Sequence, residues 1–212
     1  MPLLLDSALV FEAEKACRWG WVEGITTNPL LLARSGLPPA KTLERLAELT
    51  SGPVFYQLTA SHLEEMLEEA QRASVILGDQ LVLKILPTPT GFQAVARLSE
   101  NFSCAVTAVF SPAQALAAEA AGARFVILYY HRALVSLPEG EGWRLVEDCV
   151  TALAASETHL LAASIKSSQE MVALRRAGIE YFTLPFSVLE SLPNHPLSEQ
   201  AGQEFQRDGV GL

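Results

Sequence analysis

Eight short apolar runs, rich in β-branched and aromatic residues, recur along the chain between stretches of helical spacing, and this alternation restricts the fold more than any other feature. The runs are Leu3–Leu5, Val22–Thr26, Val54–Leu58, Leu81–Leu86, Cys104–Phe110, Phe125–Tyr130, His159–Ile165 and Tyr181–Pro185. Between them apolar residues fall three and four apart, as at Leu63, Met66, Leu67 and Ala70, or Val95 and Leu98, which is the spacing of one buried helix face. Such alternation builds a parallel sheet covered by helices. Ser61 before His62–Val75, Ser111 with Pro112, and Ser167 or Ser168 before Gln169–Ala177 read as helix starts, because a hydroxyl there can accept from an orphan backbone N–H. Further helices are expected over Leu43–Leu49, Ala113–Ala121, Leu145–Ala155 and about residues 196–207. Pro138–Gly142 reads as a loop and Gln206–Leu212 as a mobile tail. A doubly wound open sheet is the alternative, but eight units within 212 residues fit a compact (β/α)8 TIM barrel better, as one domain over residues 1–212. No G-x-G-x-x-G or P-loop fingerprint occurs in the sequence.

Half of the residues are hydrophobic, enough for a full core, and 15 basic against 24 acidic side chains give a net charge of −9. A broad basic footprint for nucleic acid or an acidic membrane face is therefore absent, and any anionic ligand must be held by a few local cations. The apolar runs are far shorter than the roughly 20 residues of a membrane span, and Met1–Asp6 lacks the basic start and long apolar stretch of a signal peptide. Cys17, Cys104 and Cys149 are odd in number and far apart, as expected of reduced thiols in a cytoplasmic protein. The four histidines show no metal-ligand spacing, so neither a metal nor a cofactor is expected.

In such a barrel the chemistry sits at the C-terminal ends of the strands. Applied to the runs, that rule selects Asp6, Thr26, Thr27, Asn28, Gln57, Thr59, Lys84, Thr107, Tyr129, Arg132, Ser164 and Lys166. Lys84 stands out because Leu81, Val82, Leu83, Ile85 and Leu86 around it are all apolar. A lysine in a strand covered on both faces is either paired, with Asp6 the candidate partner, or carries a depressed pKa. A neutral amine can attack a carbonyl to form an imine. Asp6 is then either a proton shuttle or the ion-pair partner. Asn28 before Pro29 either holds a substrate hydroxyl or shapes a turn, and Thr26 and Thr27 have the same two readings. Gln57, Thr107 and Tyr129 either position a water or are satisfied structurally. Arg132, Ser164 and Lys166 put two cations and a hydroxyl at adjacent strand ends, which suits a phosphate monoester.

Taken in order, Asp6, Gly24-Ile25-Thr26-Thr27-Asn28-Pro29, Phe55-Tyr56-Gln57, Val82-Leu83-Lys84-Ile85, Thr107-Ala108-Val109-Phe110-Ser111, Tyr129 with Arg132, Leu161 to Lys166 and Thr183-Leu184-Pro185 resemble the small transaldolase and fructose 6-phosphate aldolase family across almost the whole chain. The resemblance implies a class I mechanism. Lys84 forms an imine with a ketose, the carbon–carbon bond breaks, and a dihydroxyacetone-type enamine stays on the enzyme. Release by protonation and hydrolysis is aldolase chemistry; transfer to an aldehyde is transaldolase chemistry. By the same resemblance Asp6 and Asn28 hold donor hydroxyls, Thr107 orients water, and Arg132, Ser164 and Lys166 bind phosphate. Gln57 and Tyr129 favour the aldolase, since transaldolases tend to place glutamate and phenylalanine there. A homo-oligomeric ring, a pentamer or decamer, is implied as well.

The chain departs from the family at four places. Ile127 stands where alanine or serine is usual, two residues before Tyr129 and so on the same inward face; Ala105 is smaller than expected; Lys84-Ile85-Leu86-Pro87 carries an extra residue before proline; and His131 replaces an asparagine. The expectation is an aldolase with a reshaped donor pocket, a transaldolase as its neighbour, and, from another class, a barrel that binds a sugar phosphate without turnover.

Overall fold

The computed structural model describes residues 1–211 and is a closed barrel of eight parallel strands in sequential order, as the alternation predicts. The strands are β1 (Leu3–Asp6), β2 (Gly24–Thr26), β3 (Val54–Gln57), β4 (Leu81–Ile85), β5 (Ser103–Val109), β6 (Phe125–Tyr129), β7 (His159–Ala163) and β8 (Tyr181–Leu184). The helices are α1 (Val10–Arg18), α2 (Pro29–Ala33), α3 (Pro39–Leu49), α4 (Leu63–Leu77), α5 (Pro89–Leu98), α6 (Pro112–Ala120), α7 (Tyr130–Ser136), α8 (Glu141–Ala152), α9 (Ser168–Arg176), α10 (Phe186–Ser191) and α11 (Pro196–Asp208). The ends of the apolar runs, including Val22, Leu58, Leu86, Phe110 and Ile165, lie just outside the strands; most are buried or packed against the core.

Several helix starts follow the expected chemistry. Ser111 Oγ accepts from Gln114 N, Ser167 Oγ from Glu170 N and Thr88 Oγ1 from Gly91 N, each satisfying an orphan first-turn donor. Ser61 does not cap: α4 starts after His62 with no side-chain cap. The loop expected over Pro138–Gly142 is shorter than that, because α8 begins at Glu141 after Gly140 turns the chain at φ 83°. The expected tail likewise begins later, since α11 runs to Asp208; Leu212 lies outside the described residues.

The outward faces of the strands pack under the helices in one large core that includes Leu5, Ile25, Leu83, Val106 and Leu128. The inward faces form a second cluster that fills the barrel axis: Leu4, Phe55, Val82, Ala105, Phe125, Ile127, Leu161 and Ala163. Side chains alternate between faces along a strand. The residues two positions beyond this apolar floor must therefore point inward too, one layer nearer the C-terminal mouth.

Candidate functional site

That next layer is polar. Asp6 follows Leu4 on β1, Gln57 follows Phe55 on β3, Lys84 follows Val82 on β4, Thr107 follows Ala105 on β5, Tyr129 follows Ile127 on β6 and Thr183 follows Tyr181 on β8. Strand register brings them side by side: Asp6 pairs with Thr26, Gln57 with Lys84, and Tyr129 with Ala163. The same two-residue period that packs the floor thus lines the mouth with functional groups.

Lys84 is 3 % exposed and forms no salt bridge among the described residues. Its Nζ instead donates to the carbonyl oxygen of Thr27 at 2.8 Å. Burial pulls its pKa down, Asp6 pulls it up, and the result is about 8. Of the two readings open from sequence, the depressed amine is therefore the one the geometry favours. The direct ion pair with Asp6 is not formed. The Asp6 carboxyl is pushed above its ordinary value by burial, against the opposing pull of Lys84, a bond from Thr26 and the charge of Lys166. Thr26 Oγ1 donates to Asp6 Oδ1 at 3.0 Å and lies 2.6 Å from Thr183 Oγ1. Thr26 has one hydroxyl proton, and Asp6 takes it, so Thr183 must be the donor in that second bond. Asp6 is thereby aimed by a relay from β8. Thr183 belongs to the site although sequence reasoning named it only as part of a motif; its inward position two residues past Tyr181 was the available signal.

Asn28 is half-buried, and its Oδ1 accepts from Leu30 N and Leu31 N at 3.0 Å each to cap α2. The turn-shaping reading is correct for that oxygen, and the amide N–H groups remain to donate to a ligand. Thr27 is structural: its hydroxyl donates to Phe55 O at 2.8 Å, while its carbonyl seats Lys84. Across the mouth Thr107 Oγ1 donates to Tyr129 OH at 3.4 Å, with the Tyr129 hydroxyl pushed up in pKa chiefly by burial. Gln57 is half-buried beside Lys84. Thr59 is not part of the mouth. Its N–H and hydroxyl both bond Glu69 of α4, which also takes Tyr56 OH and Ala60 N. These donors hold the Glu69 carboxyl low despite its burial.

The cations stand at the rim. The Arg132 guanidinium lies 4.9 Å from the centre of the Tyr129 ring, and Arg132 and Lys166 are both exposed and form no salt bridge among the described residues. Lys166 acts on Asp6, and Arg132 and Asp6 both act on Tyr129, so the expected anion site and the amine open on one mouth. Ser164, two residues before Lys166, lies in the left-handed region at φ 60°, and its carbonyl accepts from His131 N at 3.2 Å. Ala105 and Ile127 are fully buried in the floor beneath this layer. Ile127 registers opposite Thr107 and Leu161. Among the described residues no group of three His, Cys, Asp or Glu side chains is placed to hold a metal ion, and no helix is long and apolar enough to cross a membrane.

The arrangement offers a buried, partly neutral amine, a carboxyl on the same inward layer, a hydroxyl pair able to hold water, and two cations at the rim that form no salt bridge among the described residues. Solved structures of mandelate oxidase share the fold, with a TM-score of 0.65 at 14 % identity; one match covers 91 % of this chain and 67 % of that one, and another covers 99 % and 75 %. Two relatives named probable transaldolase are much nearer in sequence. That of Kosmotoga olearia is 39 % identical over all of both chains, and that of Aquifex aeolicus is 36 % identical over 98 % of this chain and 96 % of its own. A family model described as Transaldolase/Fructose-6-phosphate aldolase matches residues 3–210, nearly the whole barrel with every residue of the mouth, and the chain belongs to that family of enzymes.

Proposed function

We propose that the chain is a class I aldolase of the fructose 6-phosphate aldolase type, cleaving a ketose phosphate to a dihydroxyacetone-type donor and an aldehyde such as glyceraldehyde 3-phosphate. The observation that carries this reading is Lys84, buried, unpaired by any carboxylate among the described residues and depressed to about 8. At pH 7 about one tenth of such an amine is neutral, against about 3 in 10,000 for an ordinary lysine.

The Lys84 nitrogen adds to the substrate carbonyl carbon and water leaves, giving the protonated imine. That cation accepts the electron pair of the carbon–carbon bond as the neighbouring hydroxyl loses its proton, and the aldehyde departs. The resulting enamine takes a proton on carbon, water adds to the imine, and the free amine returns. Asp6, above its ordinary pKa, is suited to pass these protons. Thr107 and Tyr129 hold the hydrolytic water, with Gln57 beside them, while Arg132, Ser164 and Lys166 take the phosphate. Ile127 and Ala105 shape the floor under the donor.

Transaldolase activity is the second reading, favoured by the names of the relatives. The pair Gln57 and Tyr129 supports hydrolysis over transfer, because the Tyr129 hydroxyl can hold a water that a phenylalanine could not, and the Gln57 amide is a neutral donor and acceptor where glutamate would be a charged acceptor. Homo-oligomerisation belongs to the same proposal: α11 buries none of its side chains against its own barrel, leaving Leu197 and Phe205 exposed for a neighbouring subunit. Light scattering that gives a monomer at micromolar concentration would refute it. A cytoplasmic location is inferred from three unpaired cysteines.

Borohydride reduction with dihydroxyacetone or fructose 6-phosphate, followed by peptide mass mapping, tests the chemistry. The expected result is a mass adduct on Lys84 and release of glyceraldehyde 3-phosphate from fructose 6-phosphate without an added acceptor. No adduct on Lys84 across a panel of ketoses overturns the enzyme reading. An adduct with release only in the presence of an acceptor aldehyde selects the transaldolase.

A further inference from the structure

The proposed phosphate end is built from two separate segments. Arg132 lies in the first turn of α7, and Ser164 and Lys166 lie in the loop between β7 and α9. Two long, exposed cations bind an anion well only if their backbones are held in a fixed relation. The contacts that supply this relation converge on Glu170, in the first turn of α9.

Glu170 Oε1 accepts from His131 Nδ1 at 2.8 Å, and Glu170 Oε2 accepts from the backbone N–H of Lys166 at 2.7 Å. The backbone N–H of His131 donates to the Ser164 carbonyl at 3.2 Å, which closes a ring of three hydrogen bonds through residues 131, 164, 166 and 170. Within that ring Ser164 is held at φ 60°, a conformation that a residue with a Cβ keeps only when its surroundings impose it. Ordinary helix capping does not explain Glu170. The capping box returns a third-position glutamate to the N–H of the cap residue itself, here Ser167. Glu170 instead reaches the residue outside the cap and a histidine on another element. Both carboxylate oxygens are occupied, and the side chain is 18 % exposed.

We propose that Glu170, acting through His131 and the Lys166 amide, is the positioning residue of the phosphate subsite and makes the enzyme select phosphorylated over unphosphorylated aldehydes. This rests on the aldolase reading above. The test separates the two by measuring binding as well as turnover.

Glycerol 3-phosphate, which has no carbonyl to attack, is titrated by calorimetry against the wild type, Glu170→Ala, Glu170→Gln and His131→Ala. Condensation of dihydroxyacetone is followed with glyceraldehyde 3-phosphate and with glyceraldehyde. Glu170→Ala keeps the Ser167 cap and is expected to weaken glycerol 3-phosphate at least tenfold. It should raise KM for glyceraldehyde 3-phosphate by a similar factor with kcat within about twofold, and leave the glyceraldehyde KM within about twofold. Glu170→Gln, whose carbonyl oxygen can still accept from Lys166 N, should recover most of the loss, and His131→Ala should show a smaller loss of the same pattern. Equal losses for both aldehydes, an unchanged affinity for glycerol 3-phosphate in Glu170→Ala and His131→Ala, or a wild type that binds glycerol 3-phosphate no better than glycerol would each overturn the proposal. If the wild type is not trapped at Lys84, the aldolase reading alone fails, and the glycerol 3-phosphate series still decides the role of Glu170.

Discussion

Replacing Asp6 by asparagine separates two roles of that carboxyl that point in opposite directions. Asp6 pulls the Lys84 pKa up, against the burial that brings it to about 8. Removing the charge while keeping the shape must therefore lower the Lys84 pKa further. At pH 7 an amine of pKa about 8 is roughly one tenth neutral, so the neutral fraction can rise by about tenfold at most, when all of it is deprotonated. If Asp6 served only to tune the amine, the variant would be up to about tenfold faster at pH 7. If it passes protons, turnover falls, and general acid–base groups typically contribute 10²–10⁴-fold. The expected outcome is both together: a lower Lys84 pKa and a loss of kcat of about 100-fold.

The ε-carbon chemical shift of Lys84, assigned by its loss in Lys84→Met and followed by NMR from pH 6 to 10, reads the first effect. Steady-state cleavage of fructose 6-phosphate reads the second. In the wild type the NMR midpoint should lie near 8, and the imine-forming rate should rise tenfold per pH unit below it and level above it. A wild-type midpoint near that of free lysine would refute the burial argument. A midpoint in Asp6→Asn at or above the wild-type value would refute the electrostatic one.

Three further outcomes follow from the same geometry. Lys84→Met removes a charge that the fold holds at a cost: the folded pKa of about 8 against the ordinary 10.5 corresponds to about 3 kcal/mol at pH 7, offset by about 1–2 kcal/mol for the lost bond to Thr27 O. The variant should be trapped by no ketone yet melt about 4 °C higher at pH 7. Because the unfolded chain binds the extra proton between pH 8 and 10.5, wild-type stability rises through that window, so the difference should vanish within it and reverse in melts near pH 10.5, where only the lost bond to Thr27 O remains. Tyr129→Phe deletes the hydroxyl that meets Thr107 and should lower hydrolytic release relative to transfer by about tenfold; an unchanged ratio of the two rates removes Tyr129 as the aldolase determinant. Ile127→Ala empties part of a fully buried floor and should cost about 3 kcal/mol in urea unfolding while lowering KM for dihydroxyacetone; an unchanged KM refutes a donor pocket limited by Ile127.

The strands were legible because a parallel sheet covered on both faces leaves near-continuous apolar runs, and a polar residue inside one, such as Lys84 or Thr107, marks the inward mouth. The apolar runs extend past the strand ends because Leu58, Phe110 and Ile165 are buried or packed against the core beyond the last ladder residue, and burial rather than ladder pairing is what hydrophobicity reports; Leu86, exposed before Pro87, is apolar without either. The helices α2, α7 and α10 have five to seven residues, less than two turns, so no period could emerge from them. Glu141 and Gly142 looked like loop because Pro138 and Gly140 punctuate the chain just before them. Glu170 was invisible for another reason: its importance lies in a partner 39 residues away, and nothing local in a glutamate in a first helical turn announces such a partner. Thr183 could be placed inward from its position two residues past Tyr181, but its bond to Thr26, 157 residues away, could not.

Under the proposed assignment, the layout of the mouth separates what captures the substrate from what chooses it. Lys84 lies on β4 with both neighbours paired in regular register. Among the described residues the two non-glycine positions with left-handed backbone, Ala108 and Ser164, instead flank β6 on either side. Ala108 falls where the register between β5 and β6 slips, between Thr107 and Val109, so this bulge sets how the Thr107 hydroxyl meets Tyr129. Ser164 follows β7 and sets how the loop carrying Lys166 meets His131 and Arg132. Each such residue costs on the order of 1 kcal/mol, and that strain is held at the two seams proposed to hold water and phosphate, not at the amine. Relaxing either seam, by Ala108→Gly or Ser164→Gly, should therefore change release or phosphate selectivity while the Lys84 midpoint measured by NMR stays near 8. A shift of that midpoint in either variant would mean that amine and seams form one coupled unit.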